Sequence, residues 1–281
     1  MKRILISGAN SYIGTSFEKY VSQWPERYQV DTIDMVGSEW MSISFSGYDV
    51  ILHAAGIVHI KETKEKEKVF YKVNRDLVLK TAEKAKKEGV KQFVYLSTMS
   101  VYGWQTGNIT KKTKPCPESN YGKSKFEAEV GLIGLLCSSF VVTIVRAPMV
   151  YGKGCKGNYQ LLRDFILKFH IFPTYQNKRS AIYIDNLSAF LKCYIDHESS
   201  GIKFPQDEDY FITNKAVRII AQVNGCKAFY ISVFNPFIRV LVKRIKLFNK
   251  VFGDLTYDRS LSDSVNLNLV SMNAAINNIE E

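Results

Sequence analysis

The sequence is poor in the residues that build metal centres and disulfide frameworks. Its five cysteines (Cys116, Cys137, Cys155, Cys193, Cys226) are odd in number and scattered, with no CxxC pair, and its four histidines are too dispersed to complete a ligand set. No metal is expected, and the thiols read as reduced and buried. No uninterrupted apolar run reaches the length of a membrane span. The chain opens directly on a strand-like segment, which reads as no signal peptide and a cytoplasmic location. Internal repeats and low-complexity linkers are absent. Acidic residues are also in short supply: 38 Lys and Arg against 27 Asp and Glu give a formal net charge of +11. From Tyr210 to Gly253 there are eight basic residues and no acidic one. No basic and aromatic motif of a nucleic-acid-binding fold accompanies this excess, so nucleic acid is not an expected partner. What is present, 281 residues with 46% apolar content, suffices for one large α/β domain and a smaller appendage.

Strand-like and helix-like stretches alternate. Lys2–Ser7 reads as a short apolar strand that runs into Gly8-Ala-Asn-Ser-Tyr-Ile-Gly14 and then a helix through Val21. Strand, glycine turn and helix are the context of a phosphate-binding loop. Gly8 permits the tight turn, Gly14 lets helix and strand pack closely, and Ser11, Tyr12 and Ile13 lead into a helix N-terminus that favours a pyrophosphate. The next strand-like run ends in Asp34, placed to accept from adenosine ribose hydroxyls and to repel a 2′-phosphate, which favours NAD over NADP. Asp49–Gly56 is a buried strand whose small-residue exit, Ala54, Ala55 and Gly56, lets a cofactor lie against the backbone. Ile60 to Lys72 reads as a charged, solvated helix start, and the run from Leu77 to Ala85 is helical. Further strands are expected at Lys91–Ser97 and Phe140–Arg146, the latter closed by Ala147-Pro148, with a helix from Tyr121 to about Leu136 between them. This alternation argues a doubly wound parallel sheet. Ligands then sit at the carboxyl ends of its strands, where Gly8, Ala54–Gly56, Thr98 and Arg146–Pro148 fall.

Tyr121-Gly-Lys-Ser-Lys125 is the most informative segment. A tyrosine and a lysine four apart project from one helix face. An ammonium there is expected to lower the phenol pKa from about 10 and so provide a general base for an alcohol proton. Thr98, closing its strand, is positioned to hydrogen-bond the same substrate oxygen. The chain has 16 tyrosines, so this spacing alone arises by chance, and its weight comes from the surrounding motifs.

Together these segments resemble an extended short-chain dehydrogenase/reductase of the nucleotide-sugar epimerase/dehydratase family. The resemblance spans roughly residues 1 to 260. It rests on the Gly8–Gly14 loop, His53-Ala-Ala-Gly56, Asn74, Ser97-Thr98 with Val101-Tyr-Gly103, Tyr121-x-x-x-Lys125, Arg146-Ala-Pro-Met-Val-Tyr-Gly152 and Arg179-Ser-Ala-Ile-Tyr-Ile-Asp-Asn186. It implies a Rossmann fold carrying bound NAD, with Tyr121 as catalytic base and Lys125 holding the nicotinamide ribose while tuning the tyrosine. It further implies that Thr98 polarises substrate, that Asn74 supports the site, and that Pro148 lies in the cofactor cleft. Arg179 would pair with the diphosphate of a nucleoside-diphosphate sugar, and Asn158 would face the sugar or diphosphate, although helix capping suits it equally. A homodimer is also implied, and polysaccharide biosynthesis is the family-level setting.

Two departures are visible. The loop's middle glycine is Ser11, and the acidic pair that family dehydratases carry after the hydroxyl residue is replaced by Met99-Ser100, which argues against elimination of water. That leaves epimerisation or simple ketone/alcohol interconversion, and the resemblance implies first an NDP-hexose (UDP-sugar) 4-epimerase. The alternatives are an NDP-4-keto-sugar reductase and a non-catalytic dinucleotide-binding sensor or assembly subunit. The expected organisation is an NAD-binding domain over 1–155, with a strand and helix near 180–200 returning to it, and a mainly substrate-binding α/β module over 156–281. The basic segment 236–252 reads as one amphipathic helix. A solvated face, a peripheral membrane contact and attraction for anionic substrate or partner all fit it. The end, 266–281, is expected to fray.

Overall fold

The computed structural model describes residues 1–281 except 59–62, 105 and 263–266. In chain order the strands are β1 (Lys2–Ser7), β2 (Tyr28–Ile33), β3 (Val50–His53), β4 (Gln92–Thr98), β5 (Gly107–Ile109), β6 (Val141–Ala147), β7 (Met149–Tyr151), β8 (Ile171–Pro173), β9 (Ala181–Tyr183), β10 (Gly201–Lys203), β11 (Phe229–Ile231) and β12 (Leu255–Tyr257). The helices are α1 (Tyr12–Val21), α2 (Lys64–Tyr71), α3 (Leu77–Lys87), α4 (Asn120–Leu135), α5 (Asn158–Phe169), α6 (Ile184–Asp196), α7 (Thr213–Val223), α8 (Asn235–Arg244), α9 (Lys246–Phe252) and α10 (Met272–Glu280). Of the charged stretch 60–72, residues 60–62 lie outside the described residues, and α2 covers most of the rest.

The chain divides into two compact units. The first comprises Met1–Gly103, Lys114–Ala147 and Leu187–Pro205; the second comprises Trp104–Thr113, Pro148–Asn186 and Gln206–Glu281. The first unit is built on a parallel six-stranded sheet in the order β10-β6-β4-β3-β1-β2. Its strands are near-continuous Val, Ile, Leu and Phe runs because helices cover both faces. All four residues of β3 are buried, as are the first six of β4. Leu5, Ile51, Phe93, Val142 and Ile144 form the core, with Val78, Ala82, Ala128 and Leu132 contributed by α3 and α4. The strand order reverses between β1 and β3, and ligands of open α/β sheets bind at the carboxyl ends at such a switch point. Between β2 and β3 no further sheet strand forms. The short segment 34–49 instead makes a turn of 3₁₀ helix, Glu39–Met41, that drives Trp40 into the core.

The second unit is assembled from two-stranded parallel pairs, β7 with β9, β5 with β12 and β8 with β11, together with helices. Its buried centre stacks Tyr151 on Tyr159 at 5.9 Å between centroids, with Tyr183 and Phe211 alongside. Tyr151 donates to Asp207 at 2.8 Å. The second unit differs from the sequence pattern at two places. The segment 236–252 is two helices, because Ile245 adopts an extended backbone (φ −119°, ψ 115°) that breaks it. The C-terminus is also anchored: α10 buries Met272, Ala275 and Ile276, and Glu280 accepts from Tyr159, Arg163 and Asn224 at 2.7–2.8 Å. Asn266 lies outside the described residues.

Candidate active site

The glycine turn after β1 is a cradle that a side chain would fill. Gly8 has φ +111°, and a Cβ on it would lie 2.6 Å from Ala55 N and 2.8 Å from Ala55 Cα. The backbones of β1 and the β3 exit therefore touch only because position 8 is glycine. Gly8 and Ala9 N–H both donate to Ile33 O, and Ala54 and Ala55 N–H donate to Ser7 O. These bonds bind the three strand ends together. Ser11 stands where three-glycine loops have their middle glycine, yet its backbone (φ −69°, ψ 137°) suits any residue, so the substitution introduces no strain. The Ser11 side chain does not cap α1, and its Oγ is buried without a hydrogen-bond partner among the described residues. Tyr12, Ile13 and Gly14 form the first turn, with no acidic side chain there. An orphaned buried hydroxyl at an uncapped helix N-terminus suits a phosphate acceptor. Asp34, exposed past the end of β2, commits Oδ1 to Val36 N at 3.0 Å. The residues present therefore fit a dinucleotide.

Gly56 connects this turn to the chemistry. A Cβ there would meet Asn74 Oδ1 at 3.2 Å and Lys125 Nζ at 3.3 Å. Asn74 is fully buried in a π-helical turn, residues 72–76, between α2 and α3. Such a turn displaces the helical hydrogen-bond register and recurs at functional sites. Here it leaves Asn74 O to accept from Tyr95 Oη at 3.2 Å. The Asn74 amide holds Ile57 from both sides, accepting from its N–H and donating to its carbonyl, each at 3.0 Å.

Thr98 closes β4 and caps the following turn, accepting from Ser100 N at 3.1 Å. Ser119 caps α4 by accepting from Gly122 N at 3.0 Å. A Cβ on Gly122 would sit 2.6 Å from Ser100 O, so this glycine sets how closely α4 approaches the strand end. That approach places the Tyr121 hydroxyl in hydrogen-bonding contact with the Thr98 side chain. Tyr121 also packs edge-on to Phe70. One turn on, Lys125 is buried, donates to Leu96 O at 3.0 Å and lies 4.8 Å from the Tyr95 ring centroid.

The electrostatics correct one expectation. Burial pushes the Tyr121 phenol up to about 12, against which only the Thr98 hydrogen bond works. Lys125 therefore does not make the ligand-free tyrosine acidic. The reason is that the same burial penalises both charged forms: it pushes the Lys125 ammonium down to about 8, with Glu129 partly offsetting the shift.

Beneath these residues lies a buried layer around Glu129, which no motif marks. Glu129, one turn after Lys125, is buried against Arg146, with Nη2 to Oε2 at 2.6 Å and Nε to both oxygens at 3.1–3.2 Å. Arg146 Nη1 also donates to Tyr102 Oη at 2.7 Å, and Ser97 Oγ bonds Glu129. The spacing Tyr121, Lys125, Glu129 on one helical face was the available signal. The remaining expected residues, Pro148, Asn158 and Arg179, belong to the second unit. Asn158 is the first residue of α5, one past the N-cap Gly157, and so does not serve as the cap. Arg179 Nη1 donates to Gly253 O at 2.8 Å, and burial pulls its guanidinium pKa down, opposed by Asp254.

The NAD dependent epimerase/dehydratase family model matches residues 4–210. A UDP-glucose 4-epimerase of Vibrio cholerae is 30% identical, over 90% of this chain and 83% of that protein. An N-acetyl-α-D-glucosaminyl-diphospho-ditrans,octacis-undecaprenol 4-epimerase of Escherichia coli O157:H7 is 24% identical, over 70% of this chain and 64% of that one. The fold superposes on the crystal structure of a UDP-glucuronic acid 4-epimerase from Bacillus cereus in complex with NAD, with a TM-score of 0.75 and 17% identity, covering 98% of this chain and 96% of that one.

Proposed function

The chain belongs to the NAD dependent epimerase/dehydratase family, and on that premise we propose that it interconverts the C4 epimers of a UDP-hexose using bound NAD. The observation that carries this reading is the Thr98–Tyr121 contact at the end of β4, one helical turn from a lysine lodged against Gly56. It supports Tyr121 as the group that takes the substrate's proton. Thr98 and Tyr121 hold the C4 hydroxyl between them, and Tyr121 takes its proton as the carbinol becomes a ketone. Bound NAD supplies the acceptor for the C4 hydride, and its positive ring favours the phenolate. Lys125, charged below about pH 8, would hold the cofactor ribose and, with the cofactor in place, would help to carry the phenolate's charge. Rotation of the 4-keto sugar in the site would turn its opposite face to the returning hydride, and Tyr121 would give the proton back to the C4 oxygen and end in its starting state. Met99 and Ser100 offer no carboxylate for elimination, which supports epimerisation over dehydration.

Recognition of the nucleoside diphosphate is assigned to the second unit, with Arg179 on the diphosphate and Asn158 on the sugar side, and Pro148 to the cofactor. The similarity to epimerases of UDP-glucose and UDP-glucuronic acid supports a UDP-sugar substrate. Exposed Val130 and Ile133 on α4 support a homodimer.

The test is to release and identify the cofactor carried by purified protein, then follow a panel of UDP-hexoses by NMR. Retained NAD with a C4 epimer appearing supports the proposal. Consumption of a supplied 4-keto sugar with NAD(P)H indicates a reductase instead, and retained cofactor with neither activity indicates a sensor.

A further inference from the structure

The second unit carries an apolar face that its own core does not use. In α8, Ile238 and Val242 are buried, while Phe234, Phe237 and Val240 lie along the adjacent side and are exposed, Phe237 at 67% and Val240 at 52%. Val233 leads into the helix at 64% exposure. Phe229, on the strand paired through Ile171, is 72% exposed, and Ile171 and Phe169 beside it are also exposed. The two elements are tied together: Asn235 Nδ2 donates to Thr174 Oγ1 at 2.9 Å, and Thr174 N to Ile231 O at 3.0 Å. These bonds join the start of the helix to the strand pair that carries Phe229 and Ile171. A monomeric soluble surface does not ordinarily cluster large apolar groups in this way.

Charge identifies the occupant. Arg239, Lys243 and Arg244 are exposed on the same helix, within the stretch from Tyr210 to Gly253 that contains no acidic residue. A second copy of this chain would bring like charges together, which is unfavourable. An anionic lipid surface satisfies both halves of the pattern, taking the aromatic side chains at the headgroup boundary and the basic ones among the phosphates. Among the described residues no helix is long and apolar enough to cross a membrane, so the contact is peripheral. We infer that α8 and the β8–β11 edge form a docking face for anionic membrane, independently of the reaction proposed above.

Flotation of the full-length, NAD-loaded protein with phosphatidylcholine vesicles, with and without phosphatidylglycerol, tests this. Binding is expected only with phosphatidylglycerol, and it should weaken as salt rises. Replacing Arg239, Lys243 and Arg244 with Gln should lower partitioning about fivefold per residue, on the order of a hundredfold together. Phe237→Ser with Val240→Ser should lower it at least tenfold at unchanged melting temperature and turnover. Failure of the folded wild type to bind at low salt, or equal binding by all variants, overturns the inference. Conversion of a solution dimer to monomer by the Phe237→Ser, Val240→Ser variant would also overturn it, because the face would then be an interface between copies.

Discussion

Replacing Lys125 with Met should stabilise the protein while abolishing its chemistry. The ammonium is buried, and burial pushes its pKa down to about 8 from the ordinary lysine value near 10.4. Below pH 8 the lysine is charged in both folded and unfolded states, and the folded state bears the whole cost of keeping that charge out of water, about 3 kcal/mol. Between pH 8 and about 10.4 the unfolded chain holds more protons than the folded one, so wild-type stability rises with pH as this cost fades. Methionine has a similar shape and no charge. It forfeits the charge-assisted bond to Leu96 O, worth about 2 kcal/mol. The net gain at pH 7 is about 1 kcal/mol, or roughly 2–4 °C in melting temperature. Differential scanning fluorimetry of ligand-free protein at pH 7 and pH 9.5 measures it. The variant should melt higher at pH 7, the advantage should shrink or reverse at pH 9.5, and epimerase turnover should fall at least a hundredfold. A variant less stable than wild type by the same amount at both pH values would refute the reasoning, because it would mean that the lysine is not strained by burial.

Other outcomes follow from the same geometry. Tyr121→Phe should lower kcat by about 10²–10⁴ while leaving NAD affinity, measured by isothermal titration, within about threefold, since the phenol bonds Thr98 at the end of β4. Gly122→Ala drives a Cβ into Ser100 O at 2.6 Å; it should lower turnover at least tenfold with cofactor retained, read from steady-state kinetics and the absorbance of released NAD. Glu129→Gln leaves the Arg146 guanidinium buried without its carboxylate and should cost about 3–5 kcal/mol in chemical denaturation. Adding Arg146→Met should recover much of that loss. Gly8→Val should abolish NAD retention, because the position requires both φ +111° and the absence of a side chain against Ala55.

The sheet and the glycine turn were legible in the sequence because both depend on local pattern. Buried parallel strands must be apolar throughout, and the Gly8–Gly14 turn must follow a strand and open a helix. Thr98, Tyr121 and Lys125 were legible for the same reason, as a strand end and a one-turn helical spacing. Much of what escaped depended on contacts distant in sequence. The sign of the Tyr121 shift is decided by burial, which a spacing of four residues does not report. Glu129 and Arg146 meet only because β6 lies beside β4 and under α4. Asn74 lies in a π-helical turn that no composition signals, and the break at Ile245 interrupts a run whose periodicity reads as continuous. The anchoring of α10 rests on Glu280 reaching Tyr159, 121 residues away in sequence.

The most direct measurement uses a UDP-hexose deuterated at C4. If Tyr121 handles only the hydroxyl proton while the C4 hydrogen travels as hydride within the site, the epimerised product keeps the deuterium at C4, and unlabelled substrate turned over in heavy water gains none. Loss of the label to solvent would show instead that the carbon-bound hydrogen leaves as a proton, contradicting the role given to Thr98, Tyr121 and Lys125.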